Sequence, residues 1–422
     1  MPSSGWITTS RPVFHVPRKS GGHPRLTLAM LALLLVLAAG LIGWTSARTS
    51  PRPASAPEPM TTRPPIETVE SLPSLQAQLE GWGGSGQFTG GVLVARGDAV
   101  LFRQVYGYAD RSLGKPLALD SRFRLASVSK QFTAAAILRL QDEGVLSTHD
   151  PLCEWIQPCP PAWEPIRLYH LLGHSSGIPD LMARPAWGLR RVTPATMEEL
   201  TTESAQYSLQ FPPGTKVRYN NAAYNLLGAV VEKASGASFP DYLRTAFFQP
   251  LGMADTGYDD DASDVVMGYA NLGVGGPSPQ PNHNVSIIVG AGALYSTLDD
   301  LLVWQRALHG GHLLSPRSYA MMVRDHAPDT TPPERGLPRR DWGFGLFSNS
   351  LGRRVSPDFV DRQIYHTGSW SGFRNMVTHQ PDADVTVIVL ANNYHQREAV
   401  FLLSQQAMAE ALGRPVPTAM AR

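Results

Sequence analysis

The stretch "LASVSKQF", Leu125 to Phe132, places two serines and a lysine at the head of an apolar run. The run continues as "TAAAILRLQDEGVL", with apolar side chains at helical intervals and a breaker at Gly144, so the spacing predicts a helix from Ser127 onward. Residues three apart share a helix face and adjacent ones do not. Lys130 can therefore lie beside the Ser127 hydroxyl but not comfortably beside that of Ser129. A lysine with a lowered pKa can take the proton of a serine hydroxyl, which makes Ser127 the candidate nucleophile. A helix-capping serine followed by a solvated lysine has the same local pattern, so further residues must decide.

The chain on either side reads as strands around helices. "GGVLVARGDAVLFRQVY", Gly90 to Tyr106, alternates about a Gly97-Asp98 turn as a β-hairpin does. From about residue 150 to 289 the pattern is helical with loops. Ser296 or Thr297 can cap a helix through "LDDLLVWQRALHGG". "WGFGLF", "QIYHTG", "FRNMVTHQ" and "VTVIVLAN" then read as strands, and an amphipathic helix covers Glu398 to Leu412. Both chain ends thus feed one antiparallel sheet, an α/β (α+β) arrangement with a mostly helical insertion.

Two further motifs follow the first in order. "VRYNNAAYNLLG" has Tyr219 and Asn221 two apart before a helix, and "HTGSWSGF" carries His366, Thr367 and Gly368 on a strand. Ser-x-x-Lys, then Tyr-x-Asn, then a basic residue with Thr-Gly resembles the serine β-lactamase and penicillin-binding-protein superfamily. The similarity is to its class C-like branch, which also holds esterases, D-aminopeptidases and DD-peptidases. "LLGHSSGIPD", "FPPGTKVRYNN", "FFQPLGMADTG", "GAGALYSTLDDLLVW" and "VIVLANN" resemble framework segments of that branch.

The resemblance implies a β-lactamase/transpeptidase-like fold and roles for individual residues. Ser127 would be acylated, Lys130 would accept its proton, and Tyr219 would carry a proton to the leaving atom, its pKa lowered by nearby cations. Asn221 would orient Lys130 and the substrate amide. The backbone N–H groups of Ser127 and Ser369 would form the oxyanion hole, and Gly368 would let substrate approach its strand. His366 stands where lysine is usual, so binding of a substrate carboxylate should be weak near neutrality and should improve at low pH as the imidazole gains charge. Arg374, on the next strand, is a further candidate source of positive charge. The implied activity is a serine hydrolase acting on esters or amides, D-amino-acid peptides among them. A weak β-lactamase or DD-carboxypeptidase, or a slowly deacylating penicillin-binding sensor or scaffold, are alternatives.

"GHSSG", Gly173 to Gly177, satisfies the G-x-S-x-G pattern of α/β-hydrolases, but no core strand precedes Ser175 and Pro179 follows it, so the segment reads as a loop near the site. The 12 histidines show no metal-ligand spacing, and neither metal nor cofactor is implied. Lys and Arg number 36 against 35 Asp and Glu, so no electrostatic case exists for nucleic-acid binding.

The N-terminus follows different rules. "LTLAMLALLLVLAAGLIGW", Leu26 to Trp44, is uncharged and would span about 28 Å as a helix, close to a bilayer's apolar thickness. Arg11, Arg18, Lys19 and Arg25 precede it, so residues 1–25 should stay cytoplasmic and the catalytic part should be periplasmic or extracytoplasmic. An uncleaved inner-membrane anchor and a signal peptide cut after "TSA" both fit residues 26–44. Residues 45–70, which include "SPRPASAPEPMTTRPP", form a Pro-rich linker, and the hydrolase domain occupies 71–415. Cys153 and Cys159 in "CEWIQPC" can pair in an oxidising compartment. Oligomeric state is left open.

Overall fold

The computed structural model describes residues 72–420 apart from 186, 260–263, 273–275, 281–283 and 334–338. The expected cytoplasmic segment, apolar run and linker lie outside the described residues. Among the described residues, no helix is long and apolar enough to cross a membrane.

The first described element is helix α1, Pro73–Ser85, which starts on a proline that has no N–H to lose. Glu410 accepts hydrogen bonds from the Ser74 and Leu75 amides, both at 2.9 Å, tying this helix start to the C-terminal helix. Next comes the expected hairpin, β1 (Gly90–Arg96) and β2 (Ala99–Tyr106), turning at Gly97 with φ 53°. The later strands are β3 (Asp341–Trp342), β4 (Phe347–Asn349), β5 (Gln363–Trp370), β6 (Phe373–Gln380) and β7 (Val385–Ala391). They join the hairpin in one antiparallel sheet of order β3-β4-β5-β6-β7-β1-β2, so both halves of the chain do build it.

"WGFGLF" is not one strand. Its glycines break it into β3 and β4, and Gly345, at φ 67°, turns with the Lys130 carbonyl oxygen 2.6 Å from where a Cβ would stand. No other residue fits against that carbonyl, so the break positions the sheet against the lysine.

Strand alternation sorts the core into two layers. Val385, Val387 and Val389 of β7 face α1 and the terminal helix α5, Arg397–Ala411, where Leu403 and Met408 are buried. Ile388 and Leu390 face the opposite layer, which holds Phe132, Leu298 and Leu301. Covering on both faces explains why every residue of "VTVIVLA" is buried and all but Thr386 are apolar. In that second layer lie α2 (Lys130–Asp142), α3 (Asn221–Ser235) and α4 (Leu298–His309). Of the two expected caps for α4, Thr297 fills the position, its hydroxyl accepting from the Asp300 amide. The insertion between α2 and α4 is mainly helical, and Cys153 and Cys159 are disulfide-bonded within it.

Candidate active site

Ser127 lies in the turn before the α-helix rather than in its first turn. A short strand, Phe123–Arg124, pairs with Leu294–Ser296, after which Ala126–Ser129 forms a 3₁₀ turn and α2 starts at Lys130. Ala126 has φ 50°, an uncommon left-handed conformation for a residue with a side chain. This bend stops the helix from running back beyond Ser127, and residues up to Ser129 wind as the tighter 3₁₀ turn. The predicted helix therefore begins three residues later than its apolar spacing implies.

The i,i+3 relation survives in the tighter turn. Lys130 Nζ lies 3.1 Å from Ser127 Oγ, 2.8 Å from Asn221 Oδ1 and 2.7 Å from the Ala291 carbonyl oxygen. The lysine is fully buried, and the Tyr219 and Tyr224 rings face its ammonium at 4.9 and 5.5 Å. Burial pulls its pKa down to about 7, while Asp180 pulls the other way. A substantial fraction of Lys130 is therefore a neutral amine near neutrality, close enough to the serine to accept a proton.

Asn221 is the first residue of α3, and Asn220 caps that helix by accepting from the Ala223 amide. The Asn221 amide is used at both ends: its oxygen accepts from Lys130 and its nitrogen donates to Asp180 at 2.9 Å. Asp180 was missed in the sequence reading, although it closes the framework segment "LLGHSSGIPD". That loop braces the tyrosine segment, since Arg218 N donates to the His174 carbonyl and Asn220 N donates to His174 Nδ1. Tyr219 packs on the His174 ring at 4.7 Å and hydrogen-bonds Ser127.

The electrostatics of Tyr219 differ from the expectation of a lowered pKa. Burial outweighs the hydrogen bond to Ser127 and the Arg340 charge, so the phenol is pushed well above its ordinary value. Tyr219 is a protonated hydroxyl throughout the neutral range. It suits a relay that gives one proton as it receives another, rather than a standing phenolate.

The third motif lies along an open strand edge. Among the described residues, β4 pairs with β5 only from Gln363 to Tyr365, leaving His366 to Trp370 without a strand partner on that side. At Gly368 a Cβ would stand 2.2 Å from the Leu125 carbonyl oxygen. The missing side chain lets β5 seat directly on the backbone leading into Ser127. Asn375, another residue absent from the sequence reading, clamps the same place by donating to the Arg124 and Leu125 carbonyls at 2.7 and 3.2 Å. Ser369 follows Gly368 and is thereby carried to the Ser127 turn.

His366 is buried beside Phe347, ring centroids 5.0 Å apart, and its Nδ1 pairs with the Thr367 carbonyl at 2.7 Å. Among the described residues, its Nε2 has no hydrogen-bond partner. Burial, with help from the Lys130 charge, lowers its pKa to about 3. The expected gain of charge at mildly low pH is thus corrected, because this imidazole stays neutral well below pH 5. Arg374 also falls outside the immediate site. It stands opposite Ser369 on β6, stacks over Tyr394 at 4.6 Å and lines a separate cavity with Thr367.

The structure therefore gathers Ser127, Lys130, Tyr219, Asn221, His366, Gly368 and Ser369 at the junction of β5, α2 and α3. Ser129 points away, accepting from the Leu294 amide, and Ser175 is buried in the bracing loop, with no lysine paired to it. Among the described residues, no group of three His, Cys, Asp or Glu side chains is arranged to hold a metal.

The profile of the family described as Beta-lactamase matches residues 75–409, a span that includes every one of these side chains. The chain belongs to the Beta-lactamase family. Within that family it is 29% identical over 362 residues to penicillin-binding protein 4* of Bacillus subtilis, covering 81% of this chain and 76% of the relative. It is 28% identical over 298 residues to esterase EstB of Burkholderia gladioli, covering 61% and 74%. The octameric penicillin-binding protein homologue from Pyrococcus abyssi superposes with a TM-score of 0.70 at 24% identity, covering 83% of this chain and 79% of that one, and so shares its fold. The Beta-lactamase family member described here is a serine hydrolase.

Proposed function

We propose that Ser127 is the acylated nucleophile and that the neutral fraction of Lys130 accepts its proton. The Ser127 oxygen attacks the substrate carbonyl carbon, and the resulting oxyanion is held by the Ser127 and Ser369 backbone N–H groups. Tyr219 passes its proton to the leaving oxygen or nitrogen and is restored from protonated Lys130 through the Ser127 side of the network. Water then enters, gives its proton to the same relay and releases the acid from Ser127. Asn221 keeps Lys130 aimed, and His366 contributes a neutral acceptor where a fixed cation would favour carboxylate-bearing substrates. Neutral esters and amides, D-amino-acid amides among them, suit this site better than penicillins.

The observation that carries this reading is the 3.1 Å approach of a buried lysine, with its pKa near 7, to Ser127. Labelling with a fluorophosphonate followed by mass mapping tests it: the adduct should be on Ser127, and turnover of p-nitrophenyl esters should exceed that of nitrocefin. Stoichiometric labelling without turnover would instead indicate a penicillin-binding sensor or scaffold.

The same reading places the hydrolase domain outside the cytoplasm, held by residues 26–44 or released after cleavage. The basic flank at Arg11, Arg18, Lys19 and Arg25 supports this, as does the Cys153–Cys159 disulfide, since such bonds persist in oxidising compartments.

A further inference from the structure

Asn375 stands on β6 directly across from Gly368 of β5, with Arg374 across from Ser369. Its side chain is fully buried and reaches past the sheet to the backbone that leads into Ser127, donating to the Arg124 carbonyl at 2.7 Å and the Leu125 carbonyl at 3.2 Å. Gly368 makes that reach possible. A Cβ on Gly368 would stand 3.1 Å from Asn375 Nδ2 and 2.2 Å from the Leu125 oxygen, crowding both partners of the bond. The two carbonyls also fix which way the amide faces, since turning it over would set Oδ1 against oxygens that donate nothing. In the orientation present, Oδ1 is buried without a hydrogen-bond partner among the described residues. The side chain thus forgoes one hydrogen bond and makes two on this segment.

Those two carbonyls border the strained point of the nucleophile turn. Ala126, the next residue, has φ 50°, and the Leu125 carbonyl also accepts from the Val128 amide at 3.3 Å as the 3₁₀ turn begins. A conformation of this kind persists only where its surroundings hold it. Further support comes from the Leu125 amide, which donates to the Leu294 carbonyl at 2.8 Å, and from the Arg124 guanidinium, which is paired with buried Asp259. The Ser127 N–H follows Ala126 along the chain, and the Ser369 N–H follows Gly368. Asn375 is therefore tied to both oxyanion donors, to one through the β5–β6 ladder and to the other through the Arg124 and Leu125 carbonyls.

We propose that Asn375 is a positioning residue that fixes the two oxyanion donors relative to each other, a role that rests on Ser127 being the nucleophile. An oxyanion hole works because its donors are already aimed where charge develops, so displacing either N–H by about 1 Å weakens the transition state more than the bound substrate. The Asn375 amide is closed off from solvent and its hydrogen bonds go to backbone carbonyls, not to a titrating group. Its loss should therefore appear in kcat and leave KM and the pH profile in place.

The test measures kcat and KM for a p-nitrophenyl ester, and the affinity of a phenylboronic acid, in the full chain and in Asn375→Ala, with active protein counted by fluorophosphonate titration taken to completion. The boronic acid takes the Ser127 oxygen onto boron and becomes a tetrahedral anion, so its affinity reads the oxyanion hole directly. In Asn375→Ala, kcat should fall by about tenfold to hundredfold and boronate affinity by a similar factor, while KM changes by less than about threefold. The acid limb of the kcat/KM profile should not move. Asn375→Asp keeps the shape, and so decides the matter where the alanine variant does not fold. Protonated, its carboxyl retains one O–H donor for the two carbonyls; ionised, it sets a charge against them. Its kcat relative to the wild type should lie below one and decline further as pH rises from about 5 to 9. Unchanged kcat in folded Asn375→Ala, a loss carried by KM alone, a displaced acid limb, or wild-type kcat at every pH in Asn375→Asp overturns the positioning role. Wild-type protein with neither ester turnover nor a Ser127 adduct would overturn the Ser127 mechanism itself, and this role with it.

Discussion

Asp180 accepts a hydrogen bond from the Asn221 amide at 2.9 Å, and through that amide it is one residue removed from the lysine ammonium. Its carboxylate is the influence that keeps the Lys130 pKa from falling further. Asp180→Asn keeps an acceptor for Asn221 but deletes the charge. Lys130 must be neutral to accept a proton, so activity is lost as pH falls through its pKa. Without Asp180 that pKa drops, and the acid limb of the kcat/KM profile should move to lower pH. A limb that stays in place or moves to higher pH would mean that Lys130 is not the group titrating there.

Ser127→Ala should abolish fluorophosphonate labelling and ester hydrolysis. Ser129→Ala should keep activity while losing about 1 kcal/mol of stability, because its hydroxyl only accepts from the Leu294 amide. Ser175→Ala should also remain active. An adduct mapped by mass spectrometry to Ser175 would show that the G-x-S-x-G loop, not the 3₁₀ turn, carries the nucleophile.

Gly368→Ala tests how β5 is seated on the nucleophile turn. The added Cβ would be 2.2 Å from the Leu125 carbonyl oxygen, which belongs to backbone and cannot swing aside. The strand must shift, taking the Ser369 N–H with it, and loss of one oxyanion donor costs about 10² to 10³ in kcat. Fluorophosphonate labelling and ester turnover should therefore both fall steeply. Unchanged kcat would show that the Ser369 amide is not an oxyanion donor.

Much of this arrangement was legible in the sequence because its signals are local. The i,i+3 spacing of Ser127 and Lys130 holds in an α-helix and in a 3₁₀ turn alike, and the short β-branched run in "VTVIVLAN", bounded by turn residues, marks β7. The start of α2 was not legible, because Ala126 takes a left-handed conformation that no propensity favours. Asp180 and Asn375 were hidden for another reason: each acts through one contact distant in sequence, on Asn221 and on the Leu125 carbonyl. His366 and Tyr219 lie close to Lys130 in the structure, but the direction or extent of their pKa shifts depends on burial, to which Phe347 and His174 from separate segments contribute.

Reporter fusions after Pro65 should be active only outside the cytoplasm if residues 26–44 export the domain. In protein prepared from that compartment, alkylation without reductant should leave Cys153 and Cys159 unmodified. Replacing both by serine should cost about 2 kcal/mol on the loop-entropy account, read as a lower denaturation midpoint. Cytoplasmic reporter activity would contradict the orientation.

His366→Lys should increase acylation by penicillins more than it changes hydrolysis of neutral short-chain esters. A permanent ammonium beside a substrate carboxylate adds a charge-assisted contact worth about 1.5 to 3 kcal/mol when well placed, which a neutral ester cannot use. Burial sets the pH dependence of this gain. The wild-type imidazole, with its pKa near 3, remains uncharged from about pH 5 to 8, so the penicillin-to-ester ratio should rise by a similar factor across that range rather than shrinking on the acid side. A second effect follows from proximity, since His366 and Lys130 are near enough to influence each other's charge. A cation at 366 should lower the Lys130 pKa further and move the acid limb to lower pH for both substrates alike. Second-order acylation rates for a penicillin and a neutral ester, measured in both variants across that range, separate the two effects. A ratio that does not move would mean that position 366 never faces the substrate carboxylate.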